Sequence, residues 1–284
     1  MKIQKRLITV IISLLPFLHL HAEQFAGFEI PGTQVVPIKN TETGGQYELY
    51  IKLPESYDKD GDTHYPVLYF TDAVWHIELL SASTTFLMEN VILVGISWQT
   101  DLQDERAHIS RFRDYSIRKS TNTEHQAKYQ FGQANNHLEF IRRDVISYVE
   151  SHYRTDPKDR TYFGFSAGGL FGAYTLMAKP DTFKNYILGS PSMRNNIPLL
   201  MDIDTSKKSN MKDHIPNVYI TYGSLEDELG KYIENYIALL KTDKSDKINI
   251  QRVVIEGSHQ TAFPLTGVRS ITWLASMQPQ GEKP

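Results

Sequence analysis

The sequence predicts a single-domain α/β fold in which a mainly parallel central sheet carries helices on both faces. Three observations predict it. Strand-like and helix-like segments alternate from residue 45 to the C-terminus, the order expected when parallel strands are joined by helical crossovers. The central strand-like segments are continuous apolar runs, as strands covered on both faces require. No internal repeat, low-complexity stretch or linker divides the chain, and α/β folds of ~250 residues are commonly one domain.

The elements follow in order. Gln46 to Lys52 alternates polar and apolar, with Tyr47, Leu49 and Ile51 on one side, the period of a half-buried strand. Val67-Leu68-Tyr69-Phe70 and Val91-Ile92-Leu93-Val94 are strands without a polar face. Leu138, Ile141, Val145, Tyr148 and Val149 recur at helical spacing. Tyr162-Phe163 is a short strand, and Leu170 to Ala178 is a helix that ends before Pro180. Tyr186-Ile187-Leu188 and Val218-Tyr219-Ile220 are two more strands, followed by a helix over Tyr232 to Leu240. Ile248 to Ile255 is the last strand, and a helix containing Ile271 and Trp273 closes the chain. Between Gln99 and Asn136 no apolar period is sustained. Connections that long are functional or disordered, and this one follows a central strand, at the carboxyl edge where open α/β sheets bind ligands.

The N-terminus begins Met-Lys-Ile-Gln-Lys-Arg and runs apolar from Leu7 to Leu20, ending near Ala22. A basic start, a short apolar middle and a small residue at the end predict a cleaved secretory signal over residues 1–22; the run is too short to cross ~30 Å of hydrocarbon. The domain is then residues 23–284, periplasmic or secreted, with no stable membrane insertion after cleavage. There are no cysteines, so disulfides, a thiolate metal site and a Cys nucleophile are excluded. The net charge of −3 argues against a nucleic-acid partner, which calls for a basic excess. No ligand spacing of the H-E-x-x-H kind occurs, so neither a metal nor another cofactor is expected.

Chemistry concentrates around Gly164-Phe165-Ser166-Ala167-Gly168. The pentapeptide G-x-S-x-G is weak evidence alone, but a strand precedes it and a helix follows, as a nucleophile elbow requires. No Lys follows the glycines, which removes the phosphate-loop reading. A serine hydroxyl needs a base, and at such an elbow the acid and then the histidine come later in the chain. After Val218-Tyr219-Ile220 stands Gly223-Ser224-Leu225-Glu226-Asp227-Glu228, and after the last strand stands Gly257-Ser258-His259. Among ten histidines, His259 is selected by this position as the base. Glu226, three residues after Gly223, is favoured as the acid, with Asp227 the alternative. The backbone N–H of Ala167 is one expected oxyanion donor, and the other comes from the loop Thr71-Asp72-Ala73-Val74.

As an ordered set, these segments resemble the putative-esterase family of α/β-hydrolases, which includes enterochelin (ferric siderophore) esterases, esterase D, feruloyl and acetyl-xylan esterases and mycolyltransferases. The resemblance runs from about Gly45 to the C-terminal helix. It is carried by Tyr65-Pro66-Val67-Leu68-Tyr69 leading to Asp72, by Val94-Gly95-Ile96, and by Arg113-Asp114-Tyr115-Ser116. Gly164 to Phe171, Ser190-Pro191-Ser192, and the Gly-Ser-x-Glu and Gly-Ser-His segments complete it. The enterochelin esterase-like branch is the most similar. The resemblance implies an α/β-hydrolase fold, a Ser/acid/His esterase and a second oxyanion donor at Val74. Ala73 departs from the Gly usual after the Asp, and Arg194 stands where close relatives often carry tryptophan.

The expected reaction is hydrolysis of a small-molecule ester through an acyl-enzyme on Ser166. Between Arg106 and Lys119, five cations (Arg106, Arg111, Arg113, Arg118, Lys119) face one anion, Asp114. Such a rim favours anionic or aromatic esters such as siderophores and makes Arg111, Arg113, Arg118 and Arg194 candidate substrate contacts; the alternative is a solvated loop with Arg113 paired to a carboxylate. Two other functions remain open at this stage: an acyl or feruloyl esterase acting on polysaccharides, and a non-catalytic binding protein on the same frame.

Overall fold

A strand buried on both sides sends alternate side chains into two separate cores, and the central strands do so here. In the computed structural model, which describes residues 29–103, 107–203, 215–244 and 248–278, Val67 and Tyr69 join one apolar cluster while Leu68 and Phe70 join the other. Tyr162 and Phe163 divide in the same way, as do Leu188 and Ile187. The expected signal over residues 1–22 lies outside the described residues, as does Arg106.

Eight strands form one sheet in the order β1-β2-β4-β3-β5-β6-β7-β8. They are β1 Thr33–Lys39, β2 Gln46–Lys52, β3 Tyr65–Phe70, β4 Ile92–Ile96, β5 Thr155–Phe165, β6 Asn185–Gly189, β7 Asn217–Gly223 and β8 Asn249–Ile255. β1 and β2 are antiparallel, β2 pairs antiparallel with β4, and every pairing from β4 to β8 is parallel. The predicted α/β class and mainly parallel sheet are therefore observed. One core holds residues of α4 (Ala134–Phe140), α6 (Ala167–Ala178) and α8 (Asp227–Lys244); the other holds residues of α1 (Ala73–Leu87) and α9 (His259–Ser276).

Two elements escaped the hydrophobic pattern. β1 sits at the sheet edge with Pro37 inside it and most of its residues at least partly exposed, and proline is confined to such edges. The buried side of α1 is built partly from His76, Ser81, Ser83 and Thr84, whose side chains read as polar. The predicted helix around Leu138 to Val149 is α4 continued through a π-helical turn, Ile141–Ile146, into α5, Ser147–His152. In its described part the aperiodic stretch after β4 contains only short helical segments, a 3-10 turn at Ala107–Ile109, α2 Ser110–Asp114 and α3 Thr123–Tyr129, before α4 begins.

Strand order decides where a ligand fits. The chain passes from β3 to β4 on one side and then returns to β5 on the other. Connections leaving β3 and β5 diverge, which opens a crevice at their carboxyl ends. The turn Thr71–Asp72 and Ser166 flank that crevice, because each directly follows one of these strands.

Candidate active site

Ser166 connects β5 to α6 with φ 56° and ψ −113°, a conformation that costs a non-glycine residue ~1–3 kcal/mol and persists only when its surroundings enforce it. Here the Ser166 N–H donates to the Gly189 carbonyl at 2.8 Å, and the Ser166 carbonyl accepts from Leu170 and Ser192 N–H groups, each at 3.0 Å. A side chain at Gly164 would collide with the Gly168 carbonyl, and one at Gly168 with the Thr71 hydroxyl. Both glycines are therefore steric requirements of the turn. Ser166 Oγ lies 3.3 Å from Ser192 Oγ; no hydrogen bond joins it to His259 among the described residues.

His259 is the first residue of α9 and is fixed by its neighbours. Ser258 caps the helix, exchanging hydrogen bonds with Thr261, and Gly257 enters the turn at φ 121°, where a side chain would be strained. The imidazole rests near the Phe165 ring, 5.1 Å between centroids. Its Nδ1 is 2.6 Å from Glu226 Oε1. An ionised carboxylate only accepts, so Nδ1 carries the proton and Nε2 is left as the basic nitrogen.

The carboxylate on the imidazole is thus Glu226, while Asp227 opens α8 with its side chain exposed. The other Glu226 oxygen accepts from the Gly223 N–H at 2.6 Å and from Ser190 Oγ at 2.7 Å. Ser190, fully buried with φ 36°, was visible in sequence only as part of Ser-Pro-Ser. Nothing in its type or spacing announced a contact to a carboxylate 36 residues later.

Ala167 and Val74 stand in the first turns of α6 and α1, where amide groups have no acceptor inside the helix. Both helices start at the crevice, so both dipoles present partial positive charge to it. The turn before α1 is clamped by contacts that sequence reasoning missed. Asp72 is fully buried with φ 56°. Its carboxylate takes Arg111 Nε and Nη2, both at 3.0 Å, and Trp98 Nε1 at 2.6 Å, while its N–H donates to the Tyr115 hydroxyl at 3.3 Å.

The four arginines predicted to meet substrate separate into two groups. Arg111, 13% exposed, is occupied by Asp72; burial alone would lower its pKa, but the carboxylate outweighs burial and raises it. Arg113 bonds Asp114 through Nε at 2.7 Å and reaches Gln99 at 2.7 Å and the Tyr47 hydroxyl at 2.9 Å through Nη2. These two face inward because each has a buried carboxylate to neutralise; the pairing of Arg113 is the alternative left open by the sequence, and Arg111 shares it. Arg118 is exposed. Arg194 is exposed as well and lies 3.7 Å from Glu228 in a surface pair. Among the described residues no cluster of three metal-ligating side chains occurs, and no helix is long and apolar enough to cross a membrane.

Comparison with known proteins places this geometry in a family. The family model described as putative esterase matches residues 40–273. The chain is 29% identical over 218 residues to the ferri-bacillibactin esterase BesA of Bacillus subtilis, covering 70% of this chain and 72% of that protein. It is 26% identical over 192 residues to a siderophore triacetylfusarinine C esterase of Aspergillus fumigatus, covering 65% of this chain and 61% of the relative. Among solved structures, the BES protein from Bacillus cereus shares the fold, with a TM-score of 0.74 at 19% identity over 88% of this chain and 98% of that one. The chain has the α/β-hydrolase fold, belongs to the putative esterase family and is a carboxylic ester hydrolase.

Proposed function

We propose that this protein is an exported siderophore esterase that works through an acyl-enzyme on Ser166. The observation that carries the mechanism is the 2.6 Å contact between His259 Nδ1 and Glu226, at the same sheet edge as a serine held in a strained turn. The siderophore assignment is supported by the two curated relatives, both siderophore esterases. Export is supported by the basic and apolar N-terminal segment.

In the proposed cycle, rotation of Ser166 about χ1 takes Oγ from Ser192 to His259 Nε2; such contacts commonly close only with substrate bound. His259 accepts the hydroxyl proton as Oγ attacks the ester carbonyl. The resulting oxyanion is stabilised by the Ala167 and Val74 N–H groups, each donor lowering the barrier by ~3 kcal/mol. Collapse breaks the bond to the alcohol oxygen, which leaves with the proton from His259. Water, deprotonated by the same imidazole, then hydrolyses the acyl-enzyme. Glu226 holds the tautomer and stabilises the imidazolium without being protonated.

The test is hydrolysis of a panel of siderophore esters, feruloyl sugars and simple acyl esters by the purified protein, alongside a fluorophosphonate label. Label on Ser166, preference for siderophore esters and a fall of ~10⁴-fold or more in Ser166→Ala are expected. Preference for the feruloyl sugars would overturn the siderophore assignment. A Ser166→Ala variant within tenfold of the parent would overturn the acyl-enzyme.

A further inference from the structure

The tripeptide Ser190-Pro191-Ser192 directly follows β6 and is pinned along its length. The Ser190 N–H donates to the Thr221 carbonyl at 2.8 Å, and the Ser192 N–H donates to the Ser166 carbonyl at 3.0 Å. The Ser192 carbonyl accepts from Asn196 Nδ2 at 3.1 Å, and Met193 is fully buried. Pro191 lies so close to α6 that a Cβ on Gly169 would stand 3.0 Å from Pro191 Cα. A backbone fixed in this way leaves its side chains few directions. The two hydroxyls, two residues apart, reach opposite ends of the proposed triad: Ser190 Oγ meets Glu226, and Ser192 Oγ lies 3.3 Å from Ser166 Oγ. That contact is the one hydrogen bond of the Ser166 hydroxyl, and of the Ser192 hydroxyl, among the described residues.

We propose that Ser192 is a positioning residue that parks the nucleophile, its hydroxyl holding Ser166 Oγ away from His259 until an ester enters. This rests on the reading above of Ser166 as nucleophile and His259 as its base. The Ser166 hydroxyl has a single proton, and attack needs that proton directed at His259 Nε2. With Oγ beside Ser192 it makes no bond to the imidazole, so only molecules that have released Ser192 can react. A reagent meeting the free enzyme finds its rate constant scaled down by that competent fraction. The hold is one neutral hydrogen bond, long at 3.3 Å, and therefore weak enough to give way at each turnover. Once acylated, Oγ has no proton left to be turned aside, so Ser192 acts on acylation and not on deacylation.

The test measures the rate of labelling by a small fluorophosphonate and the pre-steady-state burst with p-nitrophenyl acetate, whose good leaving group makes deacylation the slower step. In Ser192→Ala, labelling and burst should both quicken about two- to tenfold, the factor that one such hydrogen bond supports. The steady state that follows the burst reports deacylation and should change by less than about twofold. Ser192→Thr keeps a hydroxyl and should return labelling to near the parental rate, which a lost prop for the loop would not predict. Crystal structures read the rotamer itself, with Oγ beside Ser192 in the ligand-free wild type and on His259 Nε2 in Ser192→Ala. Labelling of Ser192→Ala no faster than the wild type would overturn the proposal. So would a wild-type crystal structure with Oγ already on Nε2, which decides the matter even if Ser192→Ala does not fold. If wild-type Ser166 takes no label, the nucleophile reading fails and Ser192 falls with it; if it labels and Ser192→Ala is no faster, only the role of Ser192 fails.

Discussion

Removing the Arg111 guanidinium, as in Arg111→Met, tests whether this residue braces the crevice or greets substrate. Asp72 is fully buried and Arg111 13% exposed, so the variant leaves a carboxylate in the interior with Trp98 Nε1 as its remaining side-chain donor. Breaking a buried pair from one side costs ~3–5 kcal/mol. The surviving indole bond and partial hydration favour the lower end, about 3 kcal/mol. At ~2–4 °C per kcal/mol for a domain of this size, Tm should fall by roughly 6–12 °C. Asp72→Asn in the same background removes the stranded charge and should return most of that loss, a coupling that a double-mutant cycle measures. Because Asp72 leads directly into the turn that carries Val74, kcat should also fall about 10- to 100-fold, alike for neutral and anionic aryl esters, less than the ~100- to 1000-fold lost when an oxyanion donor is removed outright. Thermal unfolding by circular dichroism and paired kinetics on both esters read these effects. An Arg111→Met protein with parental Tm and a loss confined to the anionic ester would refute the reasoning.

Three further outcomes are expected. Glu226→Gln should lower kcat by at least 100-fold because the amide cannot stabilise the His259 imidazolium, whereas Asp227→Asn should stay within about twofold; steady-state kinetics on one neutral ester separates them. Ser190→Ala removes one of the two donors on the outer Glu226 oxygen and should lower kcat about tenfold with little change in KM. The third concerns pH. Burial pushes His76 and His137 below the ordinary value of 6.5, so below pH 6.5 the unfolded chain binds protons that the native state refuses. Stability is therefore fully present above that pH and falls on acidification, by at most ~1.4 kcal/mol per unit for each histidine. His137 lies among Tyr47, Tyr115, Phe140 and Phe171, its ring nitrogens making no hydrogen bond among the described residues and Nδ1 standing 3.9 Å from Asp114 Oδ2. His137→Leu should accordingly lose about half of that slope in denaturant titrations at pH 7, 6 and 5.

What the sequence revealed follows from which forces leave a local trace. Central strands such as Val67–Phe70 declare themselves because both faces are dry, and the elbow does because Gly164 and Gly168 are sterically obligatory. The spacing of Glu226 from Gly223 was legible, but the choice against Asp227 depends on how the chain turns into α8. Charge pairing was the least legible. A count of cations between Arg106 and Lys119 suggested an electropositive rim, yet the partner of Arg111 lies 39 residues earlier, before α1 and β4. Local sequence records how many charges a loop has and says little about where they point.

The contact between Gly168 and the Thr71 hydroxyl has an evolutionary consequence. Because the nucleophile's turn and the turn ahead of α1 interlock without room for a methyl group, neither can be remodelled alone. A change in either turn therefore acts on the whole chemical apparatus at once. Novelty is left to side chains that leave these turns facing outward, such as Val74 and Trp75, both exposed. Exchanging these leaves the interlocked turns untouched, so one unvarying hydrolytic engine can be fitted to new esters by substitutions at its margin.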